Sequence, residues 1–537
     1  MRKAFAVDHG ILKRCGRRFS FFFDLIEKEW SDQHRATVHR ICTLMRKMGV
    51  RCLLREELEL KGELLAERKS IARYLGCDVH ATAIRVTFFR RFPRSGKIRN
   101  LQNDDVLGYA VFFKAKWTNG TSPNEQTYIY ESVVRPPTFF ANGKAEAVTN
   151  YYVHCSRPFK TSVGPRKSPR TFRFPGTFFC QQNGKTHFCA HAALRIALNS
   201  WPRYKGNKVT PDVINSTLGY DHTPGKQVPK DGLSRAQIET VVKRLGYGVV
   251  PAEFISSPEI DYDEFIYPLI ESGSPVILGI VRPNVAHVVA VLGHTLNTDR
   301  WAEARHDYGT FPLSPYISTA SWADHFIVSD DNFGMYVTLP TEALRNVLVP
   351  KHNPNLHAAI AMGLVPTDLR LSGYLAEQWA SKIVENLIAG IKPKPDNRWM
   401  LLLQKQDRKK NPVVCRTLLI DKAVYLNFMT SVRDEMGHRL SAKERRLIGA
   451  MLPKIFWVTE VSVPNLYTGN KHKLGEIITL PNPTDKQLKK GELSIFAWMS
   501  GICWYGPRLK HGPNAWSLTG HIPLLRGIAP ANCAFEW

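Results

Sequence analysis

The sequence predicts an α+β protein built in three regions, and three observations carry that expectation. Segments with apolar residues at helical spacing occur beside segments of a different texture. The latter are rich in β-branched and aromatic residues, broken by Gly, Asn, Asp and Pro, and read as strands joined by turns. The chain has 537 residues, 44% of them hydrophobic, enough to bury several cores in two to four domains.

Residues 20–75 read as helices, with "LLREELELKGELLAERKSIARYL" placing mixed charges between helically spaced apolar positions. "ATAIRVTFFRRF", "DVLGYAVFFKAKW" and "QTYIYESVVR" then read as strands. "CSRPFKTSVGPRKSPRTFRFPG" (155–176) carries six basic residues and no acid, and with its prolines reads as a solvated connector. These observations define a first region at 1–160 and a second at 161–350, closed by the Pro-containing "VPKHNPN". The third, 356–537, is expected to start with helices over 356–391. Strands at "WMLLLQK", "VVCRTLLI", "IFWVTEVSV" and "EIITL" follow, with helices near 423–434 and 441–451.

Charge and cysteine usage bound the partners. There are 73 basic and 47 acidic residues, a net charge of +26, which favours an acidic protein partner, nucleic acid or an anionic surface. Residues 1–75 hold 17 basic and 10 acidic residues, 17 − 10 = +7, so no single tail carries the excess. Ten scattered cysteines with no C-x-x-C pair fit a reducing compartment. "RCGRRFSFFFDLIEKEW" is too short and too soon broken by Asp24 for a signal peptide, and no apolar run is long enough to span a membrane, so a cytoplasmic location is expected.

The chemistry concentrates in "CQQNGKTHFCAHAALRIALNSW" (180–201). Ala190, Ala193, Leu194 and Ala197 form a helical stripe, which puts Cys189 in the first turn. Unpaired N–H groups and the macrodipole there favour a thiolate, the nucleophilic form. A buried inert thiol is the competing reading. Zinc is the third: Cys180, His187, Cys189 and His191 have the right atoms. However, a helix starting at Cys189 turns His191 about 200° away from it, so no metal is expected.

A thiolate nucleophile needs a base and the base an orienting group. Ser234 and Gln237 stand at capping-box spacing before a helix that Gly246 ends. "GSPVILGI" and "AHVVAVLG" read as two strands, the second with His287 near its start. "HFIVSDDNFGMY" reads as a third, ending in Asp330, Asp331 and Asn332. His294 and His325 are alternative bases at strand ends.

This ordered set resembles the papain-like cysteine peptidases, and within them the bacteriocin-processing peptidase type, over roughly 180–336. The resemblance implies a central domain in which the helix bearing Cys189 packs on an antiparallel sheet. It implies Cys189 as nucleophile, His287 as general base, and Asp330 or Asp331 as its orienting carboxylate, with Asp330 favoured and Asn332 less so. Strand alternation allows only one of the two aspartates to face His287. The oxyanion donors implied are the Cys189 N–H and Gln182, with Gln181 next. Gln182 lies seven residues before Cys189 where that family usually has six, and Ala190 stands in place of a usual Gly. The activity implied is a peptidase, isopeptidase or deamidase acting through an acyl-thioester on a protein or peptide substrate, without a cofactor, and the same triad leaves an acyl transferase open. A non-catalytic basic protein that binds nucleic acid or an acidic partner is the alternative.

Overall fold

The computed structural model describes residues 35–93, 97–119, 122–137, 151–164, 168–257, 260–282, 285–297, 316–344, 356–390 and 398–405. It also describes most of 412–505 and short strands before residue 15 and after residue 514. The segment considered above as a signal peptide and the Pro-containing break at 349–355 lie outside the described residues, the strand Gly10–Arg14 apart. The fold is α+β, with strands almost entirely antiparallel in three large sheets.

An eight-stranded sheet is formed mainly by the first region. Its long central strands, His80–Phe89, Val106–Asn119 and Ser122–Val134, are those expected from sequence. The basic stretch after Cys155 is no solvated connector. It forms the hairpin Arg157–Val163 and Arg170–Phe179, and the second strand pairs with Ser122–Val134. "RTFRF" alternates, so Phe172 and Phe174 are buried while Arg173 stays exposed. Residues 52–58, expected to be helical, also form a strand of this sheet, followed by the helix Gly62–Leu75.

The second sheet holds the candidate site. In spatial order its strands are Tyr247–Glu253, His357–Pro366, Val276–Arg282, Val285–Thr295, His325–Asp330 and Gly334–Pro340, with Tyr151–Val153 also pairing to Val285–Thr295. The helix Cys189–Ser200 packs on one face and the helix Tyr262–Glu271 on the other. The third sheet begins with Tyr316–Ser318, paired in parallel with Val413–Asp421, and continues through Ile455–Ser462, Gly475–Thr479 and Ser494–Met499.

Three expectations need correction. His357–Pro366 is a strand, not part of a helix: between two hydrogen-bonding neighbours, sheet pairing overrides the helix-forming Ala, Met and Leu of "HAAIAMGLVP". "WMLLLQK" is helical, within Arg398–Lys405, because a short continuous apolar run fits either structure. The boundaries at 160/161 and 350/356 do not separate packing units. The first cuts the Arg157–Val163 strand, the second detaches the second strand of the central sheet, and one hydrophobic core runs from Val38 to Leu364. The helices at Lys422–Ser431 and Ala442–Met451 match expectation. Among the described residues no helix is long and apolar enough to cross a membrane.

Candidate functional site

Cys189 is the first residue of the helix Cys189–Ser200, after an extended Phe188. The Phe188 N–H donates to His191 Nδ1 at 3.3 Å, and the Ala192 N–H donates to the Phe188 carbonyl. The Cys189 N–H lies in the first turn, where an α-helix supplies no carbonyl partner. Cys189 itself is half-buried at the open end of the helix, whereas the following residues are fully buried.

His287 sits near the start of Val285–Thr295, close enough to the Cys189 thiol for that group to raise its pKa. Its Nε2 lies 3.1 Å from Asp330 Oδ1 and 3.7 Å from Asp331 Oδ1. Both aspartates face it, contrary to the expectation from alternation. The reason is local: the strand ends at Asp330, and Asp331 already belongs to the turn, so period-2 alternation stops between them. The Asp330 carboxylate also accepts from the Asn332 N–H at 2.8 Å, which fixes it at the turn. Asn332 contributes its backbone; the Thr37 hydroxyl donates to its carbonyl at 3.1 Å.

Charge is unevenly shared here. Burial disfavours a charged His287, but contact with Asp330 and the Cys189 thiol, and the charges of both aspartates, outweigh it and raise its pKa to about 10. Burial pushes the Asp331 carboxyl up to about 7, with the His287 charge opposing and the Asp330 charge adding. At neutral pH this makes an imidazolium held by one close carboxylate and a second that is partly protonated.

The two glutamines divide sharply. Gln181 is fully buried and committed: its Oε1 accepts from the Ile129 N–H at 2.9 Å, and its Nε2 donates to the Thr37 hydroxyl and the Asp331 carbonyl, each at 3.1 Å. It ties three distant segments together and has no amide hydrogen left for an oxyanion. Gln182 is half-buried. The turn that follows is closed by Asn183, whose Oδ1 accepts from the N–H groups of Lys185, Thr186 and His187.

The four residues of the zinc reading have four separate tasks. Cys180 donates toward the Ala192 carbonyl, and burial pushes its thiol up to about 12. His187 Nε2 meets Glu67 at 3.0 Å, and His191 Nε2 meets Asn215 at 3.0 Å. His294 is fully buried in a separate cluster, far from the role of base, and His325 opens its strand without joining the site. Two groups among the described residues bring metal-competent atoms within 4.8 Å: His287 with Asp330 and Asp331, and His154 with Glu271 and His294.

Sequence reasoning missed Thr37 and Glu67, which brace the Asp331 turn and the 183–187 turn. Nothing local announces them, since both act across more than 100 residues; only the Asn183–Gly184 pair signalled a turn. No known family model matches the chain, and a search of curated proteins found no match.

Proposed function

We propose that the protein is a papain-like cysteine hydrolase that cleaves or deamidates a protein or peptide through an acyl-thioester on Cys189. The observation that supports this best is the convergence of a half-buried helix-N-terminal thiol, His287 and Asp330 from segments 98 and then 43 residues apart (287 − 189; 330 − 287).

The chemistry follows from the geometry. The attacking form of a cysteine is its thiolate, and His287 is the partner that holds the proton of Cys189. The sulfur attacks the substrate carbonyl carbon, and the carbonyl electron pair moves to oxygen. The Cys189 N–H and the Gln182 side chain take the role of oxyanion donors. As the oxyanion collapses, the bond to the leaving amine breaks and His287 gives it a proton. Neutral His287 then removes a proton from water, which attacks the thioester; the acid departs, and thiolate and imidazolium return. Asp330 holds the imidazole in place throughout. The net charge of +26 favours an acidic substrate.

Iodoacetamide labelling tests the nucleophile. Cys77 is the internal control, being also half-buried; burial pushes Cys42 up to about 12, and Cys155 and Cys415 above their ordinary range. Cys189 is expected to label faster than Cys77 at neutral pH, and His287→Ala to abolish that advantage. Equal rates in the wild type would refute the reading.

A further inference from the structure

One polar cluster apart from the Cys189 site is closed entirely to solvent. His154 follows the strand Tyr151–Val153, Glu271 ends the helix Tyr262–Glu271, and His294 lies near the end of Val285–Thr295; all three are fully buried.

The backbone is shaped to bring them together. Pairing of Val285–Thr295 with its neighbour His325–Asp330 shifts register between Val291 and Gly293. Val289 and Val291 pack in the core under Tyr262–Glu271, and the irregularity turns His294 toward that helix as well. Gly293 permits the third contribution: a Cβ there would lie 2.0 Å from the Tyr152 carbonyl oxygen, so only glycine lets the strand leading to His154 run alongside.

Three atoms converge. His154 Nε2 and His294 Nε2 are 3.0 Å apart, and Glu271 Oε2 is 2.6 Å from His294 Nε2 and 3.3 Å from His154 Nε2. Ligands about 2.1 Å from one ion stand about 3.0 Å apart at right angles and about 3.4 Å apart in a tetrahedron. Two sides of the triangle, 3.0 and 3.3 Å, have those dimensions, and the 2.6 Å side between His294 and Glu271 would open by about 0.4 Å to seat an ion. His294 Nδ1 lies 3.0 Å from the Thr295 carbonyl, to which it can only donate. His294 Nε2 then faces a carboxylate oxygen, a contact that a proton or a metal cation between the two atoms satisfies. Glu271 Oε1 is taken by Arg416 at 2.9 and 2.6 Å, which leaves Oε2 for the cluster. The buried ion-pair chain beyond it has three carboxylates, Glu271, Glu460 and Glu476, against two cations, Arg416 and Lys473.

We propose that His154 Nε2, His294 Nε2 and Glu271 Oε2 form a buried site for one divalent first-row transition ion. Two imidazoles and a carboxylate suit zinc among such ions. The ion is structural: it locks the His287 strand to the helix that contacts the third sheet. This site does not depend on the hydrolase reading.

The test uses the full chain, equilibrated with Zn²⁺ and dialysed against metal-free buffer. About one zinc per chain is expected to remain, with an X-ray absorption spectrum of nitrogen and oxygen neighbours including two imidazoles and no sulfur. His154→Gln and His294→Gln, each shown to be folded, should retain at least tenfold less, while Asp330→Asn/Asp331→Asn retains it. No retained zinc in the wild type would show that a proton alone fills the cluster and would overturn the proposal. A sulfur neighbour, zinc retained by folded His294→Gln, or zinc lost in the aspartate variant would overturn it too. The wild-type spectrum decides if the variants do not fold. Cys189 labelling in the same sample separates the two readings, since a zinc-loaded chain without fast labelling breaks only the hydrolase.

Discussion

One strand, Val285–Thr295, carries two histidines in opposite circumstances. His287, near its start, is partly exposed and meets a thiol and two carboxylates. His294, near its end, is sealed among His154, Glu271 and Tyr267. The comparison separates two uses of a polar group in a sheet. A group that exchanges protons with a substrate needs an opening to solvent and a poised charge. A group that only holds segments together can be closed off, provided its buried charges are compensated. The glutamines repeat the lesson: Gln181 has every amide contact filled, while Gln182, next to it, is half-buried.

The largest effect should come from the sealed end. Arg416→Ala leaves Glu271 and Glu460 without their shared guanidinium and should lower unfolding stability by about 3–5 kcal/mol in denaturant titrations, the usual cost of breaking a buried pair. His287→Ala should act chiefly on chemistry: hydrolysis of an activated ester reduced by about 10²–10⁴-fold, with a smaller loss of stability than Arg416→Ala because His287 is only partly buried. Comparable destabilisation by both would erase the distinction. Next in size, Gln182→Ala should slow ester hydrolysis by about 10²-fold and leave iodoacetamide labelling as it was. Gln181→Ala should instead cost about 1–3 kcal/mol of stability, because the buried Ile129 N–H loses its acceptor.

The smallest effect concerns pH. Folding raises the Asp331 carboxyl to about 7, so the folded state favours its protonated form. Stability from that proton is complete below the unfolded carboxyl value near 4 and is lost as pH rises through 7. Asp331→Asn should therefore gain stability on the wild type as pH rises from 4 to 8, read in paired melts. His287 has the other window: raised to about 10, it stays an imidazolium through neutrality and loses its proton as pH passes 10. Asp330→Asn removes its nearest countercharge and should shift the alkaline limb of ester hydrolysis to lower pH.

The elements that bear the candidate chemistry were legible because each declares itself locally. The alanine-leucine stripe marks the Cys189 helix, and the unbroken apolar run after His287 marks a buried strand. What stayed hidden depends on partners remote in sequence. "HAAIAMGLVP" is a strand only because two neighbours flank it. Glu271 and Arg416 look like ordinary surface charges until 145 residues of separation close into an ion pair. The turn that brings both aspartates to His287 depends on where the strand stops, and boundaries are set by pairing with Gly334–Pro340.

The place of His357–Pro366 inside the central sheet has a consequence for synthesis. When Asp330 has been added to the growing chain, Cys189, His287 and both aspartates already exist, but the sheet that aligns them lacks an inner strand. The strand next to that of His287, Val276–Arg282, still has an unpaired edge at that moment. Domains fold as units as the chain emerges, so the central sheet is complete only after residue 366 has been delivered. A chain ending before that strand would carry Cys189, His287 and both aspartates on a sheet that lacks an inner strand.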